Sequence, residues 1–563
     1  MTVTPTSFAR RRNSRPRAPL TAEARPLLAS GVAFEGVGDE GGSIAMLHGV
    51  PSSRVSQAVV DLLTAMDGET SLHVLHQRFA ASESPESFLR LVERVRASGL
   101  LDGDARLPPG RVTYRPPFTL QVATLRAPAI FGRLDSLIVP LSRRAVLASV
   151  AAVLCLGIGA GMLQARDLLN VLTMPVPLTA LVILVAALSF LTLLHESAHG
   201  LALTRFGGTP RRAGFMVFYL TPAFFVDVTD GWRLSDRRQR VAIALAGPAV
   251  HAVVAAAALV AALASPAAAV HQTLLLLAVS CTAVVLVNLI PFVRFDGYIA
   301  LMSALDEPNL RDRTMRDGAN ALTRLLFGGR RMGRSLDRWW SVPFGLASLI
   351  APAVLVLFAV TRTARALAGG GPVLGLLVVA LEAVVVLVGV VLLTRALRAV
   401  WRSEASRIRF VSVVGALAAG VVIAGAVIPV PMTATLGFIT RGDRVVLVQA
   451  GETEEAEMPE GARVELMSNG ILANEHVGDG TVRPRRPAPT KVPLDALFPV
   501  QADGVTVSAV VIAGVDVSAE SGSLPATGQA RVEIGVRSLW QTLWITGVMS
   551  PLSTFQGEKE EKG

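Results

Sequence analysis

Cysteine is nearly missing from this chain of 563 residues, which has only Cys155 and Cys281, each inside an apolar block. Two isolated thiols exclude a disulfide framework and a cysteine-built zinc cluster, and packing accounts for both. A cleavable signal peptide is not expected, because the basic stretch RRRNSRPR is followed by polar sequence and no apolar core. Nor does any nucleic-acid-binding motif accompany the formal charge of +10. What the chain has in quantity is apolar sequence: 52% of residues are hydrophobic and the mean hydropathy is +0.52. That excess is gathered in long blocks, the mark of a polytopic membrane protein that includes the bilayer among its partners.

Seven blocks are long enough to cross a hydrocarbon core of about 30 Å as helices. They cover roughly 145–164, 171–203, 241–264, 272–292, 341–361, 372–394 and 410–428. Arg143 and Arg144 precede the first; Arg205, Arg211 and Arg212 follow the second; DRRQR precedes the third. Eight arginines lie within 311–338, and five more between the sixth and seventh blocks. Alternate loops are therefore basic, which predicts a multi-pass protein of the cell membrane with a cytoplasmic N-terminus and an extracytoplasmic C-terminus. Residues 431–563 hold 17 acidic and 11 basic residues, so the surplus of positive charge lies wholly upstream.

The soluble parts differ in pattern. Residues 1–24 are basic and expected to be disordered, and 104–144 read as a linker. Within 25–103, short extended pieces lead to two helical patterns, SSRVSQAVVDLLTAMDG and SPESFLRLVERVRASGLL. Ser84, Pro85 and Gly99 punctuate the second as a helix should be. Hydrophobic spacing together with the DG and GLL pairs resembles the PqqD-like domains that hold leader peptides, which implies a winged-helix-like, peptide-binding fold. A generic helical regulatory domain is the alternative. Residues 431–555 carry the valine-rich alternating runs RVVLVQA, VTVSAVVIAGVDV and QARVEIGV, an all-β signature. GQARVEIGVRSLWQTL is similar to the barrel-and-sandwich modules of membrane-fusion adaptors in export systems, and implies contact with a peptide exporter. Residues 480–494, rich in Pro and Arg, are expected to form a surface loop, and 556–563 a disordered tail.

The chemistry sits at the end of the second block, in LLHESAHGLALTRFGG. His195 and His199 are four apart, so on a helix they stack on one face about 5–6 Å apart and can reach one ion. Glu196, one position round, cannot chelate with them but can contact a water on that ion. His-Glu-x-x-His therefore suits zinc hydrolysis: the imidazoles bind and the carboxylate takes the water's proton. Ionisable groups in a membrane span are expensive, which makes them functional candidates. The bland alternative is a hydrogen-bonded histidine pair with Glu196 reaching the surface.

A hydrolytic zinc needs a third protein ligand and an open position. Asp296, in NLIPFVRFDGYIALM, is the best candidate, because the topology ends its block on the same side as the histidines. Gly297 beside it permits an unusual backbone angle and a close approach. Pro291 is expected to interrupt the helix.

HESAH followed by NLIPFVRFDGY resembles the site-2-protease family of intramembrane zinc metalloproteases. The resemblance spans about 190–300. It implies zinc on His195, His199 and Asp296, with Glu196 as general base. By the same likeness Asn288, with Gly297, helps orient substrate or steady the oxyanion. The stretch VDVTDGWR before AGP is similar to the large-peptide branch of that family. His251 departs from it, since many relatives carry asparagine or aspartate there; an extra polar contact and a core histidine are both open. The PDZ domain usual in signalling members is not evident.

FYLTPAFFVDV is too short to cross the membrane as a helix. It reads either as an interfacial β-hairpin offering an edge to an extended substrate, or as an amphipathic loop. Asp227, Asp230, Trp232 and Arg233 follow it, and Glu382 in the sixth block has no role assigned. The expected fold is thus a polytopic α-helical membrane protein with a winged-helix-like N-terminal and an all-β C-terminal domain. The domain order resembles the maturation proteases of modified-peptide pathways, among them the intramembrane metalloproteases of daptide biosynthesis. That implies leader removal from a hydrophobic precursor peptide. A non-catalytic export accessory and a signalling protease cutting a single-span regulator remain the alternatives.

Overall fold

Seven of the helices are long and apolar enough to cross a membrane: Arg144–Leu163, Leu178–Arg205, Arg237–Leu263, Ala268–Asn288, Ser341–Thr361, Leu376–Trp401 and Arg407–Val427. They belong to a computed structural model that describes residues 20–549 apart from 38–41, 48–49, 103–110, 116–118, 139, 141, 219–220, 329–332, 368–371, 403–405, 443, 451–457, 472 and 519–523. The basic stretch 1–19 and the tail 556–563 lie outside the described residues. Large apolar side chains on the spans, among them Leu156, Ile183, Phe358, Leu387 and Val422, are exposed, as surfaces turned toward lipid must be.

Several span boundaries differ from the hydropathy reading by four to seven residues, and proline explains two of them. The second span begins at Leu178, because the preceding helix Ala165–Thr173 ends before Met-Pro-Val-Pro, where each residue ahead of a proline is driven toward extended backbone. The fourth ends at Asn288, so Pro291 lies in the turn beyond the helix rather than inside it. A helical Pro291 would have no N–H to give and would press on the carbonyl one turn back.

The chain divides into two units, Met1–Ile158 with Ala186–Ala257 and Ser280–Pro308, and Gly159–Val185 with Ala258–Val279 and Asn309–Gly563. In the first, strands Val32–Val37, Gly42–Leu47 and Val50–Ser56 form an antiparallel sheet followed by helices Gln57–Thr64, Leu72–Phe79 and Pro85–Ser98. Leu63, Met66, Leu72, Leu75, Phe88 and Val92 fill the core between them. The first expected helical pattern is half strand, since its leading residues pair with Gly42–Leu47 instead of coiling. Ser84 caps the last helix by accepting from the Ser87 amide, and Gly99 ends it at φ 82°, in the left-handed region.

The described part of the stretch read as a linker holds two strands and a helix. Strands Val112–Arg115 and Thr119–Thr124 join Ala213–Phe218 and Thr221–Val226 in one antiparallel sheet, and helix Ala127–Ile138 follows. Its Phe131 packs where a side chain on Gly200 of the second span would stand. Of FYLTPAFFVDV, Phe218 ends one strand and Thr221–Val226, antiparallel to it, is the outer strand of the sheet.

In the second unit, six antiparallel strands between Pro429 and Ser538 close into a barrel. Phe438, Leu447, Val464, Leu466, Ala530 and Val532 fill its interior. The Pro-Arg stretch expected as a loop is part of strand His476–Pro493, paired along Thr506–Val517. The register slips between Pro484 and Ala488, and such a bulge is where a strand tolerates prolines that cannot donate to the ladder.

Candidate metal centre

The second span carries its ionisable residues on the last two turns before Arg205. His195 is 7% exposed, Glu196 9% and His199 fully buried. Helical spacing brings the two Nε2 atoms to 3.2 Å from one another. Asp296, first residue of helix Asp296–Leu305 and 3% exposed, places Oδ2 3.0 Å from His195 Nε2 and 3.5 Å from His199 Nε2. These three are the only group of that kind among the described residues. Tetrahedral ligands about 2.0–2.1 Å from a zinc ion lie about 3.3 Å from each other, so the triangle has the edges a zinc site requires.

The donor chemistry agrees. Asp296 Oδ2 lies against both imidazoles yet receives no aligned hydrogen bond. Three such atoms converging at these distances repel unless a cation or a shared proton sits among them.

The backbone around the triangle explains how it is held. His199 Nδ1 donates to the Ile243 carbonyl at 2.6 Å, which leaves Nε2 as the lone-pair nitrogen. Gly247 of the third span stands so close that a Cβ there would overlap Nε2 of both histidines. Pro248 follows it inside the helix, where it cannot donate to the carbonyl one turn back. Gly297 has no unusual backbone angle; it is needed because a Cβ would strike the Leu289 carbonyl, where the turn after the fourth span folds back.

Glu196 accepts from the Val226 amide through Oε2 at 3.2 Å, which ties it to the outer strand of the sheet. Asn288 donates through Nδ2 to the Val284 carbonyl in its own helix. His251 is 3% exposed, with its ring 5.3 Å from that of His195, and its Nδ1 has no partner among the described residues. Asp227 caps the turn after Thr221–Val226 by accepting from Thr229, and Trp232 lies under Arg240 at 5.9 Å. Glu382 belongs to the second unit, where its Oε2 faces Gly547. Ile243, Gly247 and the Val226 amide are site groups that residue chemistry does not reveal, two of them being backbone. The Gly-Pro pair at 247–248 was the available signal.

Comparisons with protein-family models, with curated proteins and with solved structures find no match to this chain.

Proposed function

We propose that the chain is an intramembrane zinc metalloendopeptidase of the site-2-protease kind. The convergence of His195, His199 and Asp296 at zinc-like separations, with Glu196 one residue off the chelating face, carries the reading. Bound there, the ion supplies Lewis acidity that makes a water nucleophilic near neutral pH. His195 and His199 offer Nε2, and the Ile243 carbonyl fixes the proton of His199 on Nδ1. Glu196 takes the proton of the attacking water and returns it to the departing amine; its bond to the Val226 amide keeps the carboxylate beside strand Thr221–Val226.

The substrate would be an extended, apolar peptide. No strand among the described residues pairs with the outer edge of Thr221–Val226, and a chain added there presents its amides in the conformation hydrolysis needs. By the arginine distribution the N-terminus would be cytoplasmic and the barrel outside. A PqqD-like N-terminal domain would then hold the leader of a ribosomally made precursor, with the barrel toward an exporter.

The test measures zinc per chain and hydrolysis of an apolar peptide by purified protein in detergent. Wild type and Glu196→Gln are expected to hold about one zinc, with Glu196→Gln slowed by about 10²–10⁴. Asp296→Ala is expected to hold much less. A wild type that takes up no divalent ion after reconstitution ends the hydrolase reading and leaves the export-accessory one.

A further inference from the structure

A chain of contacts runs from the N-terminal sheet to His199. Glu35, in strand Val32–Val37, accepts from Arg233 Nε at 2.8 Å and pairs with its Nη2 at 2.7 Å. The same guanidinium reaches Asp230 Oδ1 through Nη1 at 3.5 Å. Asp230 is 1% exposed and accepts from the Thr209 amide and hydroxyl at 2.9 and 3.1 Å, with Arg211 3.6 Å away. That pins Thr229–Arg233 to the turn leaving the second span. Strand Val50–Ser56 lies against the same five residues.

The next step is packing. Leu203 and Ile243 each come within 3.7 Å of where a Cβ on Gly231 would be, so the loop rests directly on both. Val228, just before the loop, shares a buried cluster with them and with Val226. Ile243 is the residue whose carbonyl orients His199, and Val226 the residue whose amide holds Glu196. One tightly packed layer thus separates Arg233 from the two groups that aim the site, and packed layers shift as units rather than yielding smoothly.

We infer that Arg233 is a positioning residue for the metal centre, and that the N-terminal domain completes its setting through Glu35. A planar guanidinium presents its donors in a fixed fork that can serve two carboxylates at once. The Glu35 pair is partly exposed and weak on its own. Its effect comes from Asp230: a buried carboxylate that loses one of its cations must shift, and its loop carries Gly231 with it. The N-terminal domain is therefore an outer support of the site, and a ligand that draws Glu35 off Arg233 slackens His199. Coupling is reciprocal, so an ion at the triangle must in turn hold the N-terminal sheet against the loop. The inference rests on the hydrolase reading for its ion; the contacts themselves are independent of it.

The experiment uses full-length protein in detergent and zinc competed against a chromophoric chelator. Glu35→Gln and Arg233→Gln are each expected to bind zinc about two- to fivefold more weakly, and the double variant no worse than Arg233→Gln alone. Zinc should slow amide exchange across Val50–Ser56 in wild type and not in Arg233→Gln, a linkage that mere loss of stability does not produce. Equal zinc affinities in wild type and both single variants overturn the inference. If wild type binds no zinc, the hydrolase reading falls first. Exchange at Ile243–Gly247 then decides the coupling: faster in Glu35→Gln upholds it, unchanged ends it.

Discussion

The Nδ1 atom of His199 and the carbonyl of Ile243, 44 residues apart in sequence, lie 2.6 Å from each other. One bond joins two spans and settles which imidazole nitrogen keeps its proton. It also brings the third span so close that Gly247 lies against the donor atoms of both histidines.

Gly247→Ala should therefore act as a plug. The added methyl would overlap both Nε2 atoms, and neither imidazole can retreat while His199 is tied at its far nitrogen. Overpacking of this kind costs about 1–3 kcal/mol. The expected result is at least a tenfold loss of zinc affinity in protein that still assembles. Gly389→Ala is the control: another span glycine, with nothing within 4 Å of the new methyl, it should bind zinc as wild type does.

Gly297→Ala probes the other side of the triangle. The backbone there is ordinary, so any effect is steric: the methyl meets the Leu289 carbonyl and must push the helix carrying Asp296 out of place. Zinc titration should show weakened binding with the glutamate-dependent chemistry lost in proportion. Unaltered binding would mean that the 289–295 turn gives way instead.

How much of this could be read from the sequence depends on what carries each feature. Spans announce themselves by composition: seven blocks match seven helices, with ends off by up to seven residues, the start of the second and the end of the fourth being moved by Pro175, Pro177 and Pro291. The candidate donors show because His195, Glu196, His199 and Asp296 are chemically conspicuous in apolar surroundings. Backbone partners do not. The Ile243 carbonyl and the Val226 amide have no side-chain signature, and only the packing of one span on another selects them. Strand content in 104–144 and 480–494 was hidden for a different reason. Tyr114 and Val122 belong to a sheet completed by Ala213–Phe218, about ninety positions on, and Pro484 reads as a loop residue until the bulge that accommodates it is seen. Local pattern cannot report pairing that distant.

The last prediction concerns a carboxylate remote from the chemistry. Asp317, in helix Leu310–Phe327 and 3% exposed, accepts from the Ser335 amide at 2.6 Å, the Leu336 amide at 3.1 Å and the Ser341 hydroxyl at 2.5 Å. It thereby folds the arginine-rich connection back onto the start of the fifth span. Burial opposes its charge, but the Ser341 hydroxyl and the two amides win and hold its carboxyl below the usual range. A depressed folded-state pKa gives stability that is whole above the unfolded value of about 3.9 and disappears as pH falls through the folded one. With the intrinsic exchange rate, which itself falls in acid, divided out, protection of the amides at Ser335–Ser341 should accordingly stay high at neutral pH and drop below about pH 4. Asp317→Ala should open the connection at neutral pH by about 2–3 kcal/mol, since three donors lose a charged acceptor. Acid should then lower that protection little further. An acid response that survives in Asp317→Ala would assign it to another carboxylate.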